Sequence, residues 1–262
     1  MSQRFRPLIL RFPTLASTNT EAARQARLGA PEGLCIVARE QTAGRGRQER
    51  IWVSPAGAGL YCSILLRPRL DLSAWPLLTL AASLAVHDAL LEACALQTDI
   101  KWPNDIYGDE RKLCGILAET VETKDARSCV VGIGINLSDQ AFPAELREAA
   151  TSVEALTGSD ADAETLLEAL LRALATRYET LQGDDGIALT LGAWTARSSY
   201  AEGRRVRVSL PAESFEGTTR GLEPDGALRV ETVAGDIKLV RAGDVWALRA
   251  DLKRAEDEKP KA

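Results

Sequence analysis

Residues 42–50 read TAGRGRQER, which sets Arg45, Arg47 and Arg50 within a few positions of one another and interleaves them with Gly44 and Gly46. Glycine lets a backbone approach a ligand closely, and arginine offers forked donors to carboxylate or phosphate oxygens. Gly44-Arg45-Gly46 begins a dinucleotide fingerprint, but Glu49 stands where its third glycine would be, so that fingerprint is poorly supported. Taken alone, the stretch reads as a cationic ligand loop or as a solvated surface loop.

Residues 101–112 read KWPNDIYGDERK. Pro103 biases Trp102 toward extended backbone. A two-residue turn at Gly108-Asp109 would pair Tyr107 with Glu110 and Ile106 with Arg111, leaving Asp105 opposite Lys112. A slip of one residue leaves the last two as diagonal neighbours, still within reach. A lysine beside a carboxylate and an amide suits a magnesium–phosphate centre, and it equally suits an ordinary cross-strand ion pair.

In residues 130–137, VVGIGINL, a period of two puts Gly132, Gly134 and Asn136 on one face and Val131, Ile133, Ile135 and Leu137 on the other. Paired glycines weaken a strand unless something packs closely on the backbone. A flat ligand with Asn136 reading its edge fits, and so does a bulge or close helix packing. Ser17-Thr18-Asn19 offers hydroxyls at a helix start, while Thr18 with Glu21 also matches a capping box.

Much other chemistry is excluded. His87 is the single histidine, so a two-histidine metal site cannot form, and its place in a helical stretch suits a satisfied residue beside the core. No Gly-Lys pair exists, so the GxxxxGK[ST] phosphate loop is absent. Thirty-two basic against thirty-seven acidic residues leave a net charge of −5, which speaks against a duplex-DNA footprint. The five cysteines, Cys35, Cys62, Cys94, Cys114 and Cys129, are odd in number and widely spaced without CxxC, as expected of a reducing cytoplasm. No apolar signal core opens the chain, and the uncharged run 72–87, containing Pro76, falls short of a membrane span of about 20 residues.

The elements that must position these groups follow from periodicity. Strands are expected at 8–12, 34–38 and 60–66, with a helix from Thr18 and another over 75–96. Several strands with tight turns should fill 100–137. An amphipathic helix over 162–181 carries Leu166, Leu167, Leu170, Leu171, Leu174 and Tyr178 on one face, and Gly183 ends it. The texture changes near 198–203, after which alternating runs to residue 248 read as a small antiparallel barrel. With 45% apolar and 26% charged residues among 262, the composition is that of a folded globular protein.

In this order and spacing, the motifs resemble those of the biotin–protein ligases. The resemblance is carried by Ser17-Thr18-Asn19, Gln41 with GRGR at 44–47, KWPND at 101–105, RKL at 111–113 with GIL at 115–117, GIGIN at 132–136, and AGDV at 242–245. It implies an α+β fold: a mixed-sheet catalytic domain of the biotin/lipoate ligase type, akin to class II aminoacyl-tRNA synthetases, then a small SH3-like β-barrel. The corresponding division is 1–200 catalytic, 201–250 barrel and 251–262 a disordered tail. With the first motif so near residue 1, no N-terminal helix-turn-helix is expected.

The implied activity is activation of biotin by ATP and Mg²⁺ as biotinyl-5′-AMP, then transfer to a lysine of the biotin carboxyl carrier protein of acetyl-CoA carboxylase. Lys112, Arg45 and Arg47 take the catalytic roles. Ser17, Thr18, Asn19, Gln41, Gly46 and Gly115 join them around biotin. Arg50, Trp52, Lys101, Asn104, Asp105 and Asn136 join them around ATP, with Asp105 as the magnesium ligand. No tightly bound metal or prosthetic group, no nucleic acid and no membrane is expected; a homodimer is compatible with the resemblance. Family loops often carry a further glycine where Glu49 stands, which puts the part played by Arg50 in question. A lipoate–protein ligase with analogous adenylate chemistry, and a non-catalytic biotin-sensing regulator, are the competing readings.

Overall fold

The computed structural model describes residues 7–123, 127–140 and 142–248; the expected disordered tail, 251–262, lies outside them. The chain runs β1 (Leu8–Phe12), α1 (Thr18–Arg27), β2 (Leu34–Ala38), β3 (Gly59–Leu66), α2 (Pro76–Cys94), β4 (Asp99–Lys101), β5 (Asp105–Gly108), β6 (Arg111–Glu122) and β7 (Arg127–Asn136). Then follow α3 (Val153–Thr157), α4 (Ala163–Leu181), α5 (Gly186–Thr195), β8 (Glu202–Ser209), β9 (Ser214–Leu222), β10 (Leu228–Thr232), β11 (Ile237–Val240) and β12 (Asp244–Ala247). The first seven strands form one sheet in the order β1-β2-β3-β7-β6-β5-β4. Only β1 and β2 run parallel, so the sheet is mixed.

Both faces of its central strands are covered, which is why β3 reads as a nearly continuous apolar run. One face sends Cys62, Ile64, Val131, Ile133 and Ile135 into the main core with α2 and α4. The other sends Leu34, Ile36, Leu65 and Val130 against Ala22 and Ala26 of α1. α2 is apolar all round because the sheet, α4 and α5 surround it. The segment Leu72–Cys94 is thus longer than its uncharged run suggested, and by length and composition alone is long and apolar enough to cross a membrane; 67% of its most apolar 18-residue stretch is buried within the fold. His87 sits here, 6% exposed, with Nδ1 2.9 Å from Thr98 Oγ1. Burial lowers its pKa, as expected of a histidine satisfied beside the core.

Two local expectations change. Ser17, not Thr18, holds the N-cap position of α1, without a side-chain cap bond. Glu21 turns instead to Arg24 and Gln25. The β5–β6 turn falls at Asp109-Glu110, one residue later than expected, with Gly108 pairing Arg111. Both turn residues have positive φ, 48° and 60°, the backbone of a two-residue type I′ hairpin. Helices α3 and α5 carried too little periodicity to be expected.

Strands β8–β12 form a second, wholly antiparallel sheet in the order β11-β10-β9-β8-β12, the strand content expected of the small barrel. Its inward residues Val206, Val208, Leu228, Val230 and Val245 join the main core. Trp102 Nε1 donates to Gly226 O at 3.0 Å, tying the first sheet to the second.

Candidate active site

The α1-side face of the sheet loses its apolar side chains toward one end, and the cleft lies there. On β7, Val130 is followed at period two by Gly132, Gly134 and Asn136; on β6, Glu119, Leu117 and Gly115 pair with Val130, Gly132 and Gly134. Asp105 pairs with Gly115, and Lys101 with Asp105, so both reach the same face. Uninterrupted alternation from Gly115 would place Lys112 on the opposite face. A bulge prevents this: Cys114 pairs with Ile106 but Lys112 with Tyr107, and Leu113 is left buried beside Cys114. The extra residue swings Lys112 onto the face of Asp105, where Nζ lies 2.7 Å from Oδ1. They are thus diagonal rather than directly opposed.

The glycine face is covered by two side chains of this chain. A Cβ on Gly132 would overlap Asn19 Oδ1, and one on Gly134 would overlap the Trp52 indole, which also lies over Gly115. The flat group expected on that face is, in this structure, an indole. Trp52 Nε1 is buried without a hydrogen-bond partner. The cleft measures about 230 Å³, below the ~300–1,000 Å³ usual for small-molecule sites, because the indole occupies its floor. Asn136 donates through Nδ2 to Thr151 O at 3.0 Å, so its amide fixes the 149–151 segment as well as lining the cleft.

One end of the cleft is neutral and polar. Gln41 Oε1 accepts from Thr18 N at 2.9 Å and from its hydroxyl at 3.1 Å, and Gln41 Nε2 donates to Ser54 Oγ at 2.9 Å. A side chain 23 residues away therefore caps α1 and frees the Ser17 hydroxyl, which lines the cleft. Fully buried Ser63 lies 2.7 Å from Thr18 Oγ1 and donates to Asn19 Oδ1 at 2.6 Å. Asn19 Nδ2 donates to Glu119 Oε2 at 2.7 Å and to Leu117 O at 3.2 Å.

The other end is cationic. Arg45 turns back from it: its Nη2 lies 2.9 Å from Glu119 Oε2, the oxygen that also accepts from Asn19 at the polar end. Arg47 donates to Asn104 Oδ1 at 3.0 Å and Gly243 O at 3.2 Å. Burial pulls the Arg47 pKa down, with Asp244 and Asp105 opposing it. Arg50 makes a two-pronged ion pair with Asp244, Nη1 to Oδ1 at 3.1 Å and Nη2 to Oδ2. Asn104 is clamped to β6 through Nδ2 and Ile116 O, 2.8 Å apart. Lys101, 6% exposed, stands behind this end. It donates to Tyr107 Oη at 2.9 Å, and its Nζ is 4.4 Å from the Trp246 ring centroid. Burial lowers its pKa to about 8.

Every expected site residue except Lys101 lines this one cleft. Asp244 lines it as well, and Ser54, Ser63 and Glu119 hold lining residues in place; none of the four was expected. Ser63 carried a signal, a small hydroxyl residue inside an apolar strand; Glu119 continued the period of Gly115 and Leu117. Asp244 reaches Arg50 from 194 residues away, which no local pattern announces. Among the described residues, no group of three or more His, Cys, Asp or Glu gathers as a metal cage. Asp105 as a lone carboxylate suits a magnesium ion delivered on phosphate oxygens, which needs only one or two protein carboxylates.

Comparison with known proteins gives a consistent picture. Residues 12–136 match the model described as the Biotin/lipoate A/B protein ligase family, and residues 203–246 the Biotin protein ligase C terminal domain. The bifunctional ligase/repressor BirA of Bacillus subtilis is 39% identical over 236 residues, covering 88% of this chain and 71% of that one. The biotin–[acetyl-CoA-carboxylase] ligase of Mycobacterium tuberculosis is 36% identical, covering 89% and 86%. The solved structure of the Aquifex aeolicus biotin protein ligase in complex with biotin and ATP superimposes with a TM-score of 0.79 at 30% identity, covering 92% of this chain and 99% of that one.

Proposed function

The chain belongs to the biotin/lipoate A/B protein ligase family, and from that premise we propose that it activates biotin with ATP as biotinyl-5′-AMP and passes the biotinyl group to a lysine of a carrier protein. The observation that carries this is a single cleft with a neutral hydrogen-bonding end, an apolar middle and a cationic end. Biotin has the same sequence of parts: a ureido ring with donors and an acceptor, an aliphatic stem and a carboxylate.

The ureido group goes to Ser17, Thr18, Asn19 and Gln41, whose amides and hydroxyls both donate and accept. The stem lies on the glycine face, so the Trp52 indole must move aside or stack over it. The carboxylate meets Lys112 Nζ, with Gly46 and Gly115 allowing close approach. Attack of that carboxylate on the α-phosphate brings like charges together, and fixed cations must offset them. Lys112, Arg45, Arg47 and Arg50 supply that compensation, with Lys101 behind them. Asp105 would hold a magnesium ion brought in with ATP, which would supply further positive charge to the phosphates. Trp52 and Asn136 flank the adenine; Asn136 Nδ2 is committed to Thr151, so Oδ1 is the atom offered to the adenine amine. Closure of the 42–52 loop shields the mixed anhydride from water until the acceptor amine attacks its carbonyl and AMP leaves.

The carrier is the biotin carboxyl carrier protein of acetyl-CoA carboxylase, residues to about 200 do the chemistry and residues 201–250 support them. Incubation with ATP, Mg²⁺, biotin and a recombinant carrier domain should add one biotinyl group by intact mass. Omitting the carrier should still release pyrophosphate. Biotin failing in both assays overturns the proposal, and lipoate succeeding in its place would redirect it to the sister chemistry.

A further inference from the structure

Three cations of the site reach out of the first sheet's module and end on one short stretch of the second. Arg50 pairs with the Asp244 carboxylate, Arg47 donates to the Gly243 carbonyl, and the Lys101 ammonium sits 4.4 Å from the Trp246 ring centroid. We propose that residues 243–246 are a positioning element for the ligand loop, holding Arg50 and Arg47 over the cleft so that the activated intermediate is retained. This rests on the adenylate chemistry proposed above, and Asp244, the Gly243 carbonyl and Trp246 act through the cations they hold rather than by touching substrate.

The two partners differ in stiffness. Asp244 begins β12, which pairs residue by residue with β8 from Asp244–Ser209 to Ala247–Val206. Val245 is 1% exposed and fixes the strand in the core. Gly243 has φ of 128°, and a Cβ there would press on Leu210 Cδ2 and Ser209 O, both at 2.7 Å; the turn that presents its carbonyl therefore requires glycine. The loop is the compliant partner. Gln48 and Glu49 sit at φ of 54° and 61°, and neighbouring Ile51 is 82% exposed. Within residues 46–51 the backbone closes on itself only through Gly46 N to Arg50 O and Arg50 N to Arg47 O. Between a fixed carboxylate and a strained loop, the ion pair's free energy goes into ordering the loop. Half-exposure of Arg50 limits that free energy, while two-pronged geometry and the second contact at Arg47 raise it.

The test uses the full chain and two readouts. Trypsin cleaves after Arg45, Arg47 and Arg50, so the rate of loop cutting in ligand-free protein reports loop order directly. Escape of preformed, labelled biotinyl-adenylate reports retention. Asp244→Ala should raise both roughly three- to tenfold, with an unchanged melting temperature. Asp244→Glu, which keeps the carboxylate and every tryptic site, should restore both toward wild type, which a merely structural role for Asp244 would not predict. Arg220→Ala, which breaks an ion pair with Glu231 between β9 and β10, away from β12, should change neither. Were Asp244→Ala to unfold the second sheet, Asp244→Asn removes the same charge while keeping the side-chain shape and must raise escape likewise. Unchanged escape in the folded variant overturns the proposal. If wild type forms no adenylate, the ligase reading falls, and the cleavage rates still decide whether this stretch orders the loop.

Discussion

The floor of the cleft and its lid are built on opposite principles. The floor, β6 and β7, is held by a continuous ladder from Cys114–Ile135 to Glu122–Arg127 and by core packing on its far face. Its ligand-facing side is smooth because glycine stands at Gly115, Gly132 and Gly134. The lid, residues 42–52, has short hydrogen-bonded turns, two left-handed residues and three arginines, each held by a group outside the loop: Glu119, Asn104 with Gly243, and Asp244. Changes to the floor should therefore appear in binding and chemistry, whereas changes to the lid should appear in retention.

Lys112 gives the largest expected effect, because the β6 bulge sets it on the floor pointing at the reacting groups. Lys112→Ala should lower adenylate formation by roughly thirtyfold or more, the loss of one charge-assisted contact amplified by a role in the reaction. Pyrophosphate release measured without carrier reads this directly. Near-normal release would remove Lys112 from the chemistry and leave the bulge without a functional reason.

Gly132→Ala tests the floor at the opposite end. Its Cβ would overlap Asn19 Oδ1, and Asn19 is fixed by Ser63, Leu117 O and Glu119. Such overpacking costs about 1–3 kcal/mol, so biotin binding by calorimetry should weaken by around tenfold with some loss of melting temperature. Weakened retention with unchanged binding would contradict the division between floor and lid.

Lys101 belongs to neither region, standing on β4 under Trp246 of β12. Burial lowers its pKa to about 8, against the charge of Asp105 and with that of Lys112; Asp244 opposes the shift and Arg50 adds to it, both more weakly, and Tyr107 Oη accepts a hydrogen bond from it. Above pH 8 the ammonium is lost, and with it a supporting cation behind the cleft, so adenylation should fall as pH rises through 8 and level off at a lower value, because the arginines stay charged. Stability should move the other way. The folded pKa lies below the unfolded value, so the cost of burying charge is full below pH 8 and fades as pH rises through 8 toward the unfolded value of about 10.4. Lys101→Arg, charged throughout, should flatten the alkaline limb of activity. Activity and stability falling together would exclude Lys101 as their cause.

The same contrast explains what the sequence made legible. Period two exposed the glycine face and Asn136, because burial on both sides of β7 leaves alternation as the only freedom. The strands at 8–12 and 34–38 and the 162–181 helix followed from the same logic. The hairpin was misjudged by one residue because Asp109-Glu110 adopts a turn usually given to glycine or asparagine, and the bulge at Leu113 has no composition of its own. Thr18 looked like a cap because Gln41, which fills that role, arrives from a distant loop. The lid's residues were recognisable, but what holds them was not: Asp244 and Gly243 meet the loop only through the packing of the second sheet on the first.

Glu49 gives the smallest effect and the finest test of the lid. Its φ of 61° follows 54° at Gln48, so two successive side chains occupy backbone space that glycine enters freely, at roughly 1 kcal/mol or more each. Glu49→Gly removes one of these costs but adds about 0.5–1 kcal/mol of unfolded-state entropy. Because the loop orders locally, the second term largely sets how far it samples open states, and the two nearly cancel. The balance favours the ordered lid by a few tenths of a kcal/mol, a two- to threefold slower escape of adenylate with no change in biotin affinity. Faster escape would mean that the restricted backbone of Glu49 matters more than its strain, and that the lid holds its intermediate partly by being costly to rearrange.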